Sequence, residues 1–285
     1  MPPIDATAIE KMQCMEIWGG NQAVSKNFQT PGLSIFVDSQ PFLDNAEGGG
    51  DIYYLTSCAS GRISRFLLAD VSGHGESAAD LAVKLRDLMR ANVNRISQER
   101  FAKRVNEEFG QQAANAGFAT AAIATFFQPT GKLAINLAGH PNPVYYVSKD
   151  KTWHLVSDKS ASKTLANLPF GIQDDVDYPQ FRIPTSAGDM FLIYTDAFVE
   201  SLDAGGKQLG MNGLVEMLNK QALSPDEVIP YLKSELKGLA DENLKEDDAT
   251  AILGFFTESK TTWLDNLMAP FRLFGSVADK TRVRF

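Results

Sequence analysis

The chain reads as an α+β protein, and three observations carry that expectation. Its apolar runs fall in the order strands, helices, strands, helices, strand, without the regular alternation of a doubly wound sheet. Several of the strand-like runs stop at an aspartate or at a Gly-rich turn. The 285 residues are 44% hydrophobic, enough to fill the core of one large domain.

Residues 1–31 are mixed and are expected to form an N-terminal extension. Its most distinctive piece runs from Cys14 to Asn21, where Trp18 beside two glycines suits packing better than a contact with a regulatory domain. Residues 32–38 alternate as a first strand, and a turn-rich loop follows from Pro41 to Gly50. Ile52 to Leu55 is the next strand, and Gly61-Arg62 a turn. Ile63 to Ala69 is a buried strand that runs straight into Asp70. From Ser77 to Ile96, Leu81, Leu85, Leu88 and Met89 keep helical spacing, and a second helix is expected from Gln98 to Ala114. Short apolar runs at 118–127, 132–138 and 144–147 are strands separated by Gly and Pro turns. The run 189–195 is another strand, ending at Asp196. Helices are expected near 211–221 and 225–240, and a last strand at 249–256 behind Asp247-Asp248. Residues 258–285 form a tail in which Trp263, Leu264, Leu267, Met268, Phe271 and Phe274 keep near-helical spacing around Pro270. That stripe suits packing on the core or a contact between two copies in a homodimer.

The formal net charge is −8. An acidic surface repels nucleic-acid phosphates, so no nucleic-acid partner is expected. Phosphorylated substrates remain open, because bound metal ions reverse the local field of an acidic pocket. The first residues lack a basic stretch followed by an apolar run, and no stretch is long enough to span a bilayer. A cytoplasmic location with Cys14 and Cys58 reduced is the expectation, and membrane association through the tail and Lys280, Arg282 and Arg284 is not.

Aspartate is a poor strand residue, yet Asp51, Asp70, Asp196 and Asp247 sit at strand ends or in Gly-rich turns. Any one of them serves as a strand terminator or helix cap. Together they resemble a site for hard cations, for which carboxylate, carbonyl and water oxygens are the natural ligands. Two such ions about 3.5–4 Å apart activate a water and clamp a phosphoryl group. Other chemistries lack their residues. Cys58 is followed too closely by Arg62 for a cysteine phosphatase, and the sequence has no HExxH and no P-loop.

Four blocks then resemble the SpoIIE-like (RsbU-type) branch of the PPM metal-dependent serine/threonine protein phosphatases. They are Gly49-Gly50-Asp51-Ile52-Tyr53, Ala69 to Gly75 with Ala78-Ala79, Tyr194-Thr195-Asp196 with Glu200, and Asp247-Asp248-Ala249-Thr250. Phe118-Ala119-Thr120, Ala138 to Pro141 and Gly188-Asp189 are minor landmarks of the same family. The resemblance implies a phosphatase domain over residues 32–257, folded as an α-β-β-α sandwich of two mainly antiparallel sheets. It implies two divalent cations, Mn2+ or Mg2+, and a water bridging them that hydrolyses phosphoserine or phosphothreonine. Asp70 would bridge both ions, Asp51 and the Val71 carbonyl would serve one, and Asp196 and Asp247 the other. Asp248 would orient its neighbour. The implied partner is a phosphorylated signalling protein, such as a STAS-type anti-sigma-factor antagonist.

His74 is a candidate general acid, although family relatives place a histidine closer to the bridging aspartate, where this chain has Ser72. His140 reads as structural. Arg62 and Arg65 are candidates for binding phosphate. The family's third block carries a glycine after its aspartate, and here Ala197 replaces it. If that position required a positive φ, alanine would cost about 1 kcal/mol or more. The alternative function is therefore a catalytically weak phosphatase-fold module that binds a phosphoprotein or a regulator.

Overall fold

The computed structural model describes residues 9–12, 16–42, 48–58, 61–73, 76–93, 95, 97–113, 117–156, 166–258 and 278–282. The N-terminal half contributes strands β1 (Ile9–Lys11), β2 (Glu16–Gly20), β3 (Val24–Thr30), β4 (Leu33–Gln40), β5 (Asp51–Cys58) and β6 (Ile63–Val71), then helices α1 (Glu76–Ala91) and α2 (Gln98–Ala113). Strands β7 (Ala119–Phe127), β8 (Lys132–Ala138), β9 (Val144–Val147), β10 (Thr152–Leu155), β11 (Phe181–Pro184) and β12 (Met190–Tyr194) follow. Helices α3 (Ala197–Glu200), α4 (Gly210–Leu218) and α5 (Val228–Leu239) precede β13 (Ala249–Phe256) and β14 (Ala278–Arg282).

These strands form two seven-stranded sheets. One runs β1-β3-β4-β13-β12-β9-β10, the other β11-β8-β7-β6-β5-β2-β14. Pairing is antiparallel except at two edges, where β1 joins β3 and β14 joins β2 in parallel. Three apolar clusters fill the spaces. Ile52, Tyr54, Leu67 and Ala69 pack under α1 and α2. Tyr53, Leu55, Phe66 and Leu68 meet Phe191, Ile193 and Ile252 between the sheets. Leu192, Tyr194 and Leu253 pack under α3 to α5. The chain is thus an α-β-β-α sandwich, the expected α+β class.

Both faces of the central strands are covered, so they read as continuous apolar runs, and only the period of two separates their faces. On β5 the odd residues 53 and 55 point between the sheets, and on β6 the even residues 66 and 68 do. Continuing the period aims Asp51 and Asp70 into the same inter-sheet space.

Several elements differ from the sequence reading. β3 and β4 form a hairpin across the turn at residues 31 and 32, so the expected boundary between extension and domain falls inside a sheet. Trp18 is buried and meets Phe28 edge-on, with ring centroids 5.2 Å apart, as expected of a packing residue. α1 stops at Ala91 rather than running to Ile96. The Asn92 side chain donates to the Leu88 carbonyl at 2.9 Å, a local bond that competes with helix propagation. Cys14 and the apolar stripe at 263–274 lie outside the described residues. Among the described residues no helix is long and apolar enough to cross a membrane.

Candidate metal centre

Strands from both sheets end together at one side of the sandwich. Asp51 opens β5, Asp70 closes β6 one residue before Val71, and the two pair directly in register. Like charges facing each other across an antiparallel pair destabilise a sheet, so the arrangement needs a ligand or a proton to offset it. From the other sheet, Asp196 follows β12 and leads into α3, while Asp247 and Asp248 precede β13.

The electrostatics follow from this convergence. Burial pushes the Asp70 carboxyl up to about 7, and the charges of Asp196, Asp247, Asp248 and Glu200 add to the rise. Asp51 is buried more deeply. Burial, then Asp70, then Asp248 hold it well above the usual carboxylate range, against the hydroxyls of Thr250 and Thr195. Asp196 is raised by burial and by Glu200. Every charge named as acting on Asp51 and Asp70 is negative.

The glycines before Asp51 have a steric reason. A Cβ on Gly49 would lie 2.3 Å from Asp248 Oδ1, and one on Gly50 would lie 2.8 Å from the Val71 carbonyl oxygen. Only glycine allows the loop to press against that carbonyl, the one expected to serve as a ligand. Asp248 anchors the loop: its Oδ1 accepts from Phe42 N at 2.7 Å and its Oδ2 from Gly50 N at 2.6 Å. Both of its oxygens are therefore engaged by the backbone. Asp247 is exposed, and its Oδ1 accepts from Asp248 N at 2.8 Å.

The residues present suit cations. Asp51 Oδ1 is buried and has no hydrogen-bond partner. The donors are carboxylates and one backbone carbonyl, the set that selects Mg2+ or Mn2+ over softer metals. Among the described residues, no three carboxylate, imidazole or thiolate side chains are close enough to hold one ion in common.

The other candidates fall as follows. His74 lies outside the described residues. His140 is buried beside the site: its Nδ1 is 3.0 Å from Thr120 Oγ1, and Thr120 pairs with Asp70 in register. Burial pulls its imidazole down to about 3, with the Tyr194 backbone acting the other way, so it stays neutral. Arg65 is no phosphate ligand. Five residues before Asp70 on an extended strand, it lies about 17 Å away along the chain. It is buried over the Phe101 ring and donates to Thr125 Oγ1 at 3.1 Å and to the Arg95 carbonyl at 3.2 Å. Arg62 precedes β6 and is farther still from Asp70 along the chain. Ala197 is the first residue of α3 and is not among the positive-φ residues, so alanine fits there without strain.

Two residues of the third sequence block, Glu200 and Thr195, carry roles that the sequence did not assign them. Glu200 stands one helical turn beyond Asp196, and its charge reaches both Asp196 and Asp70. The i, i+4 spacing was the available signal. Thr195 is buried with its Oγ1 3.1 Å from Asp51 Oδ2, and a threonine ending a strand carries no such signal.

The family profile for Stage II sporulation protein E (SpoIIE) matches residues 60–254, more than half of the chain. The chain belongs to the SpoIIE family. It is 26% identical over 182 residues to the phosphoserine phosphatase RsbU of Bacillus subtilis (strain 168), a match covering 64% of this chain and 50% of that protein. Among solved structures, the RsbU and RsbW domains of Rv1364c from Mycobacterium tuberculosis superpose with a TM-score of 0.68 at 22% identity, covering 85% of this chain and 64% of that one. The PP2C phosphatase domain of SpoIIE from Bacillus subtilis, solved with a fragment of its regulatory domain, gives a TM-score of 0.65 at 15% identity. That match covers 81% of this chain and 64% of that one. The SpoIIE-family chain therefore has the PP2C (PPM) phosphatase fold. It spans half the length of the curated relative it matches.

Proposed function

We propose that this chain is a metal-dependent protein serine/threonine phosphatase acting on a phosphorylated signalling protein. The observation that carries the reading is the in-register pair of Asp51 and Asp70. Asp51 is buried and Asp70 half-buried, with Asp196, Asp247 and Glu200 around them, a set of carboxylates that can all be ionised together only with cations among them. Asp70 would be shared by two ions, Asp51 and the Val71 carbonyl would hold one, and Asp196 and Asp247 the other. When bound, two divalent cations supply charge neutralisation and an acidified water for attack on phosphorus. In the hydrolysis the water's hydroxyl would join phosphorus as the P–O bond to the serine or threonine broke, and the water's remaining proton, exchanged through solvent, would go to the leaving oxygen.

The chain's own residues keep this pocket rigid. Asp248 holds the glycine loop against Val71, and neutral His140 fills the space beside Thr120. The SpoIIE family assignment supports the reaction class, and the RsbU relative favours a phosphoserine substrate. We assign a STAS-type antagonist as the substrate and a cytoplasmic location; the described part of the C-terminal tail, β14, pairs with β2 in this chain's own sheet. Ala197 was the main support for a catalytically weak binding module, and its unstrained place in α3 removes that support.

Phosphate release from a phosphorylated STAS protein, measured while titrating Mn2+, tests the reading. Turnover should depend on the metal and vanish in Asp70→Ala. Turnover no higher than that control would refute it.

A further inference from the structure

We propose that Thr195 decides which oxygen of Asp51 faces the metal: its hydroxyl holds Oδ2, leaving Oδ1 as a single, monodentate donor. The inference rests on the metal-centre reading above and concerns a residue outside the expected ligand set.

The hydrogen-bond inventory around Thr195 closes with one assignment. Thr195 Oγ1 accepts from Thr250 N at 3.0 Å, so its one proton is left to donate. Three acceptors are in range: Asp51 Oδ2 at 3.1 Å, the Asp248 carbonyl at 3.4 Å and the Thr250 carbonyl at 3.4 Å. Asp51 Oδ2 is the nearest of the three, and once Asp51 is held as its carboxylate by an ion it is also the only charged one, which strengthens the bond. The neighbouring Thr250 hydroxyl also acts on the Asp51 carboxyl; it lies 2.8 Å from Ser39 Oγ, a bond in which either oxygen can be the donor, but it is not within hydrogen-bonding reach of Asp51 Oδ1, which has no partner. Thr195 and Asp51 are both buried, so water does not compete for these positions. Asp51 thus has one oxygen held and one, Oδ1, buried with no partner.

The bond also crosses the sandwich. Thr195 belongs to the sheet of β12 and β13, and Asp51 to the sheet of β5 and β6. Asp51 is therefore oriented from the sheet that also supplies Asp196 and Asp247. A fixed carboxylate loses less rotamer freedom on binding an ion, and loss of such an orienting partner commonly weakens metal affinity by about 10–100-fold.

Calorimetry with Mn2+ alone on metal-free protein tests this, with urea unfolding of each metal-free variant in parallel. Thr195→Val should weaken the tighter Mn2+ site by about 10-fold or more, while Thr195→Ser, which restores the hydroxyl, should stay within about threefold of the unsubstituted protein. A folded Thr195→Val that binds Mn2+ as the unsubstituted protein does would overturn the proposal while leaving the metal centre standing. So would a Thr195→Ser that falls as far as Thr195→Val. An unsubstituted protein that takes up no Mn2+ would overturn both. The infrared difference spectrum of the unsubstituted protein on adding Mn2+ gives a second readout independent of how the Val variant folds. The Asp51 band, assigned by its loss in Asp51→Asn, should have the wide stretch separation of a monodentate carboxylate, and a chelating band would refute the proposal.

Discussion

Replacing Asp70 by asparagine should stabilise the metal-free protein and destroy its response to metal. Asp70 titrates near 3.8 in an unfolded chain and at about 7 in the fold. Below pH 3.8 both states are protonated, and the site costs nothing. As pH rises, the unfolded chain ionises first while the folded one keeps its proton, so stability falls between pH 3.8 and 7 and then levels off. At about 1.4 kcal/mol per tenfold change in proton affinity, the full cost at pH 8 is about 4 kcal/mol, and at pH 5 about 1.6 kcal/mol. The asparagine side chain does not ionise and carries neither cost. In EDTA, urea unfolding followed by circular dichroism should show Asp70→Asn more stable by up to about 4 kcal/mol at pH 8, with the gap more than halved at pH 5. Excess Mn2+ should reverse the order: an ion at about 100 times its Kd adds about 2.7 kcal/mol to the unsubstituted protein alone, so two such ions add about 5.4 kcal/mol against the gap of about 4 kcal/mol. Equal stability of the two proteins at pH 8 in EDTA, or a gap that widens on acidification, would refute the account of the site as a cluster of repelling carboxylates.

Two further substitutions probe the scaffold of the same site. Gly49→Ala places a methyl 2.3 Å from Asp248 Oδ1, so it should cost at least about 2 kcal/mol in urea unfolding and weaken Mn2+ binding through the displaced loop. Ala197→Gly, which restores the residue usual in the family, should raise neither Mn2+ affinity nor phosphate release. It should lower the melting midpoint by an amount equivalent to up to about 1 kcal/mol, because the position is helical.

The fold class and the aspartates were legible in the sequence because they break its rules. Aspartate at the end of an apolar run is a conspicuous exception, and Asp51, Asp70 and Asp196 are such exceptions. β2 and β3 were not read as sheet strands. β3 carries Ser25, Lys26, Asn27 and Gln29 on a strand near the edge, where one side chain in two faces water and the alternation is blurred. The short β11 contains a proline, which weakens any strand pattern. At the end of α1 the Leu88 carbonyl accepts from both the backbone N–H and the side chain of Asn92, a local detail that propensity does not register. The role of Thr195 was hidden for the opposite reason. Threonine is an ordinary strand residue, and its partner Asp51 is 144 positions away in the chain.

The site is best understood as the polar end of the inter-sheet core. The period of two that points Phe66, Leu68, Phe191 and Ile193 between the sheets also points Asp70 and Thr195 there once each strand is extended to its end. Along the middle of the sandwich that space is apolar, with Phe66 against Phe191 at 5.8 Å between centroids. At each end it is crossed by a hydroxyl bond: Ser64 Oγ to Thr30 Oγ1 at 2.9 Å far from the aspartates, and Thr195 Oγ1 to Asp51 Oδ2 at 3.1 Å among them. The two differ in what they leave behind. The Ser64–Thr30 bond joins two neutral groups, whereas the Thr195–Asp51 bond holds one oxygen of a carboxylate and leaves the other buried without a partner. A buried acceptor left in that state is costly in the metal-free fold. It is tolerable because the packed core on both faces of each sheet holds the strands that carry it, and the same rigidity keeps Asp51 and Asp70 face to face against their own repulsion.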